Sequence, residues 1–225
     1  MALTNVFLLL VVAIIGAVCF LPTVAPAAGI EKRVHYRGKS EDGVSLMFNV
    51  YWGTDEVKKI LDILDEHQSK ATFFIGGSWA DDNVPLVKEI ADRGHEIGSH
   101  GYFHKDQDKL SFEGNYKEIQ TSADFLARAS GKEIKLFAPP SGAYSEQTVD
   151  AAESLSMQTV LWSKDTIDWR DKDADVCYRR ATENVEGGDL ILMHPMAHTV
   201  EALPRVLKSY AEKGLRTITV GENIA

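Results

Sequence analysis

Two histidines four residues apart, His100 and His104, carry the clearest chemical signal in this 225-residue sequence. They follow a short apolar stretch, and Gly101 lies between them. Neutral imidazoles at that spacing can converge on one divalent ion if the backbone turns between them. Lys105-Asp106 comes next and offers a carboxylate to orient such a ligand. A third histidine, His194, ends the apolar run Leu190–Met193 and is fixed on its other side by Pro195. A histidine so placed suits general acid chemistry. The cluster Asp165-Thr166-Ile167-Asp168-Trp169 supplies carboxylates able to orient that ring. By themselves these acids fit a helix cap and a solvated surface equally well. The stretch Phe48-Asn49-Val50-Tyr51-Trp52-Gly53 lies where acidic partners of a metal would be sought, and it contains no acid.

The elements that must position these residues follow from apolar patterning. Residues 44–50, 71–75, 96–99, 136–138, 157–162, 189–193 and 216–220 read as seven strands. Between them, Val57, Ile60, Leu61 and Leu64 fall on one face of a helix, as do Leu203, Val206, Leu207 and Tyr210. Phe112, Tyr116, Ile119, Ala123 and Leu126 mark a longer helix that Gly131 ends. Residues 84–92, 146–155 and 173–184 read as helices too. This alternation predicts a parallel sheet with covering helices. The count predicts a distorted parallel (β/α) barrel of about seven strands, with a doubly wound open sheet as the alternative. The polar clusters come at or just after strand ends. In parallel α/β folds those carboxyl-end loops converge on one face, so distant residues can share one pocket.

Composition narrows the function classes. A net charge of −9 argues against a nucleic-acid partner, which would want a basic face. Residues 7–21 are almost unbroken apolar and are followed by Pro22 and Pro26, the length of a signal-peptide core. No Lys or Arg precedes the run, so an uncleaved N-terminal anchor is the alternative for residues 1–28. Either way the remainder is expected to be exported, to the extracellular space or cell wall or held to the membrane facing outside. That segment would be its one membrane contact. Cys19 lies in the run, which leaves Cys177 without an intramolecular partner. Residues 29–42, with Lys32, Arg33, His35, Arg37 and Lys39, read as a charged linker that is solvated or touches an anionic surface. Residues 43–225 are enough for one domain-sized core.

The assembled pattern resembles the polysaccharide deacetylase family (NodB-homology domain, carbohydrate esterase family 4). Five segments carry the resemblance in the family's order. Lys70-Ala71-Thr72-Phe73-Phe74 is similar to its second strand, and the run from Gly94 to His104 to its His-x-x-x-His motif. Phe137-Ala138-Pro139-Pro140-Ser141-Gly142 is similar to its Arg-Pro-Pro-Tyr-Gly groove motif. Asp165 to Trp169 is similar to its Asp-x-x-Asp-Trp motif, and Leu192-Met193-His194 to its Leu-x-His motif. Trp52-Gly53 and the segment from His198 to Pro204 are closest to the sporulation-type branch.

The resemblance implies a metal-dependent hydrolase of carbon–nitrogen bonds in N-acetylated peptidoglycan or chitin-like sugars. His100 and His104 would hold a divalent ion of the zinc, cobalt or nickel type. His194 would be the acid, with Asp165 also catalytic. Trp52, Pro139, Ser141, Gly142, Tyr144, Asp168, Trp169 and Leu192 would bind the sugar.

The chain also departs from the family. Asn49 and Val50 stand where the family has two aspartates, its base and a metal ligand. Ala138 stands where it has the arginine that pairs with the base. Removing one member of such a buried pair costs about 3–5 kcal/mol, whereas losing both strands no charge. Asn49 and Ala138 therefore read as one coherent neutralisation. Losing a general base typically costs about 10²–10⁴-fold in rate. Asp55, Glu56 or Asp165 would be left to take over a carboxylate role. Three outcomes are thus expected: a hydrolase with an altered site and a weakly held metal, a weak or inactive glycan-binding, cell-envelope module on the same fold, or a hydrolase of something other than an acetylated sugar.

Overall fold

Eight consecutive buried residues, Gly43–Val50, make the central strand of a parallel sheet. The computed structural model describes residues 29–225, and the apolar run 7–21 with Cys19 lies outside them. In chain order the strands are β1 Val34–His35, β2 Gly43–Val50, β3 Thr72–Ile75, β4 Glu96–Ser99, β5 Leu136–Phe137, β6 Gln158–Val160, β7 Lys164–Asp165, β8 Leu190–Met193 and β9 Arg216–Thr217. The helices are α1 Thr54–Glu66, α2 Gly77–Asp82, α3 Val84–Asp92, α4 Phe112–Ser130, α5 Glu146–Ser154, α6 Asp168–Asp171, α7 Ala174–Thr182, α8 Ala197–Glu212 and α9 Val220–Ile224. The sheet runs β1-β6-β5-β4-β3-β2-β8-β7, with β9 on the first residues of β2, and every pairing between these strands is parallel. It curls as a distorted barrel whose seam lies open between its end strands, β1 and β7.

Helices cover the sheet because each presents one apolar stripe. Helix α1 buries Val57, Ile60, Leu61 and Leu64, at the i, i+3, i+4, i+7 spacing read from the sequence. Beneath them Phe48 of β2 and Phe73 of β3 stack at 5.2 Å. Fully burying a side chain of this size stabilises by about 1.5–3 kcal/mol, and Phe73→Ala would cost about 3–5 kcal/mol. Helix α4 starts where the Ser111 side chain accepts a hydrogen bond from the Gly114 N–H and stops at Gly131, whose φ of 70° suits glycine.

Three readings from sequence change. Strands β1 and β7 join the seven expected. The first lies inside residues 29–42, so that segment is not wholly linker: Val34 pairs with Thr159 and His35 with Val160. Three of its basic residues are engaged within the chain. Arg33 bridges Asp150 and Glu153, Arg37 meets Glu186 at 2.8 Å, and Lys39 donates to the Ala225 carbonyl. Gly38 N–H also donates to Gly188, so this segment reaches from β6 to the start of β8 along the open seam. Finally, the expected strand 216–220 stops at Thr217. Thr219 and Glu222 form a capping box that starts α9 instead.

Candidate active site

The carboxyl ends of β2, β4, β7 and β8 and the loop after β5 surround a cleft of about 360 Å³. Its polar lining is Asn49, His100, His104, Ser141, Asp165 and His194. Trp52, Trp162, Trp169 and Leu192 complete it. The topology thus gathers residues 145 positions apart in sequence, as parallel α/β folds do at this face.

His194 follows β8 and is held from behind. Asp168, at the start of α6, places Oδ1 2.8 Å from the His194 Nδ1. Its Oδ2 accepts from the His194 backbone N–H at 2.7 Å and from the Thr199 hydroxyl at 2.7 Å. Asp168 is 1 % exposed and is not part of the cleft lining. The structure therefore moves Asp168 from the expected sugar-binding set to the group that orients His194. The reason is local: Asp168 opens a one-turn helix whose first side chain turns inward. Asp165 does line the cleft, but accepts from its own loop at Ile167 N–H instead of holding the ring. Burial raises the Asp165 carboxyl above its ordinary range.

His100 and His104 share the cleft with rings 5.1 Å apart. His100 Nδ1 lies 2.8 Å from the Ala138 carbonyl, which leaves Nε2 as the free ligating nitrogen. Burial lowers both imidazoles, His100 to about 3, so both are in the neutral form a metal needs. His104 sits at φ 53°, a left-handed conformation that costs a non-glycine residue energy and marks an imposed geometry. Its loop is gripped by buried Glu118 of α4, which accepts from the Phe103 N–H. Asp106 pairs with Lys109.

A three-ligand metal site is not completed. Val50, which follows Asn49 on β2, is fully buried in the main apolar core. Among the described residues no group of three His, Cys, Asp or Glu side chains could hold a metal ion. A catalytic zinc ordinarily has three protein ligands, so the donor set does not fit one. Asn49 is 4 % exposed, and its buried Oδ1 meets no hydrogen-bond donor among the described residues. A carboxylate there would need a counter-charge, and Ala138 packs instead among Met47, Phe74, Leu136 and Val160.

The family model for polysaccharide deacetylase matches residues 36–160, more than half of the chain. The chain belongs to the polysaccharide deacetylase family. Its deacetylases are generally metal-dependent. The chain is 38% identical over 188 residues to the uncharacterized protein YlxY of Bacillus subtilis, covering 83% of this chain and 59% of that protein. It is 34% identical over 182 residues to a peptidoglycan-N-acetylglucosamine deacetylase of Bacillus cereus, covering 79% and 66%. The chain thus spans less than two thirds of either relative. The crystal structure of a CE4 family pseudoenzyme from Bacillus anthracis superposes with a TM-score of 0.83 at 33% identity, over 90% of this chain and 70% of that one. A mutant of that pseudoenzyme with restored enzymatic activity superposes equally well.

The other expected site residues divide. Trp52, Ser141, Trp169 and Leu192 line the cleft. Pro139, Gly142 and Tyr144 do not. Tyr144 turns away, its hydroxyl 2.6 Å from that of Tyr36. Pro139 is buried, and Gly142 lies against Trp162, where an added Cβ would approach to 2.9 Å. They shape the groove loop without facing the cavity. Asp55 and Glu56 sit on the first turn of α1, outside the lining, so neither stands in for a base. Sequence reasoning missed Trp162 and Glu118. A tryptophan closing an apolar run looks like core, and a glutamate whose partner is a backbone N–H leaves no side-chain pattern.

Proposed function

We propose that this protein is a catalytically silent member of its family that binds an N-acetylated glycan, of peptidoglycan or chitin-like type, in the cleft. One observation carries the reading: Asn49, a buried amide that lines the cleft, stands where the resemblance would set the family's base. An amide takes no proton at neutral pH. Val50 and Ala138, both buried among apolar side chains, offer neither a further metal ligand nor a counter-charge, which supports the reading. The relatives that act on peptidoglycan and the pseudoenzyme neighbour support both halves of the reading. The cleft keeps its aromatic rim and its oriented His194, which are groups that hold a sugar without cleaving it. Two imidazoles would hold a zinc, cobalt or nickel ion only weakly. The apolar run at 7–21 supports export, with the domain released outside or anchored facing outside.

A second reading, slow hydrolysis with Asp165 as the base, is favoured by one feature. Asp165 lines the same cleft with its carboxyl raised by burial toward a base's working range.

Acetate release from chitin oligomers and from peptidoglycan, measured beside binding of the same ligands by calorimetry, separates the readings. Binding without acetate release is expected. Turnover at an ordinary family rate, abolished by His194→Ala, would refute silence. Turnover abolished by Asp165→Asn would establish the second reading.

A further inference from the structure

We infer that the surviving acid pair, Asp168 and His194, serves in this protein as the support of a sugar-stacking platform formed by Trp52. The inference rests on the glycan-binding reading above and explains why half of a hydrolytic centre persists beside a neutralised half.

Three contacts fix Trp52. Its indole lies parallel to the His194 imidazole, with an interplanar angle of 4° and ring centroids 5.8 Å apart. Its Nε1–H donates to the Met196 Sδ at 3.2 Å. The next residue, Gly53, presses its loop onto the His194 loop so closely that a Cβ there would lie 2.4 Å from the Pro195 carbonyl oxygen. Gly53 also holds φ 77°, which glycine adopts without strain. Two loops from neighbouring strands, β2 and β8, are thus locked together through one indole.

The support continues behind the imidazole. Asp168 accepts both from the ring and from the backbone N–H of His194, which sets the orientation of the imidazole. Trp52 stays 41 % exposed and lines the cleft. Trp169, 50 % exposed, lines the same cleft. An indole held through its N–H and backed by a second ring is oriented before the ligand arrives. It can therefore take the apolar face of a pyranose at a reduced ordering cost. The ligand class is an N-acetylated pyranose chain, with the sugar ring face as the recognised feature.

The test has two arms on the whole chain. The first needs no ligand. The near-UV circular dichroism due to Trp52, taken as wild type minus Trp52→Phe, should be strong. The matching difference should collapse in His194→Ala and in Met196→Leu. Met196→Leu leaves Asp168 and His194 paired, so its result stands if His194→Ala folds poorly. The second arm titrates a β-1,4-linked N-acetylglucosamine tetramer. Affinity should fall about tenfold in Trp52→Ala and comparably in His194→Ala, with Met196→Leu between those and wild type. An unchanged Trp52 signal in both supporting variants would overturn the platform. So would tight tetramer binding by His194→Ala with loss confined to Trp52→Ala. Failure of the wild type to bind the tetramer while its Trp52 signal stays strong would overturn the glycan reading itself, and with it the platform's assigned ligand.

Discussion

The two walls of the cleft differ in how their polar groups are satisfied. On the β8 wall, His194, Asp168 and Thr199 close a network of hydrogen bonds at 2.7–2.8 Å. On the β2 wall, the Asn49 amide oxygen meets no donor among the described residues, and Val50 lies in the core beside it. On the function proposed above, the difference separates groups that depend on one another from a group that satisfies itself. A buried base and its counter-charge depend on one another, so on that reading Asn49 and Ala138 stand together without stranding a charge. The acid pair satisfies itself within its own wall and persists independently of them.

The largest effect that could break this contrast lies in the chemistry of the retained wall. In the variant Asn49→Asp/Val50→Asp/Ala138→Arg, adding His194→Ala should lower the acetate-release rate by about 10²–10⁴-fold. Indifference to His194 would mean the retained wall is not competent. Next comes the coupling within the neutralised wall. Ala138→Arg alone places a charge in an apolar cluster and should destabilise by about 3–5 kcal/mol in urea unfolding. Adding Asn49→Asp should recover much of that loss, and strict additivity of the two changes would show that they do not pair.

A pH profile separates both walls from the rest of the fold. His95 lies at the opposite end of β4, is 4 % exposed, and is pushed down to about 4, chiefly by burial. Its folded value lies below its unfolded value of about 6.5, so the unfolded chain binds the proton more readily. The stability it contributes is complete above about 6.5 and is lost as pH falls toward about 4. The loss amounts to roughly 2–3 kcal/mol. His95→Gln should flatten that part of the urea-midpoint profile. A profile unchanged by the substitution would place the acid sensitivity elsewhere. The smallest effect expected is Asp168→Asn, which replaces a charged acceptor of three donors by an amide and should cost about 1–3 kcal/mol.

Much of the scaffold was legible because its signals are local. The stripe Val57, Ile60, Leu61, Leu64 and the bounds of β4 stand in the structure as the sequence implies. The polar clusters fall at strand ends, and that alone brings Asn49, His100, Asp165 and His194 to one cleft. What was not legible depends on long-range partners. Strand β1 hides in a charged segment because its pairing residues, Thr159 and Val160, lie about 125 positions away. Asp165 and Asp168 sit three apart, and only the inward turn of α6 decides which one grips the ring. Trp52 reads as one more rim aromatic until its parallel placement on His194 is seen.

The most direct measurement compares acetate release from an N-acetylglucosamine oligomer by the wild-type chain and by Asn49→Asp/Val50→Asp/Ala138→Arg. A wild type at background, with the triple variant at least about 10²-fold above it, is the expected result. A wild type that already releases acetate as fast as the triple variant would contradict the claim that the neutralised β2 wall silences this cleft.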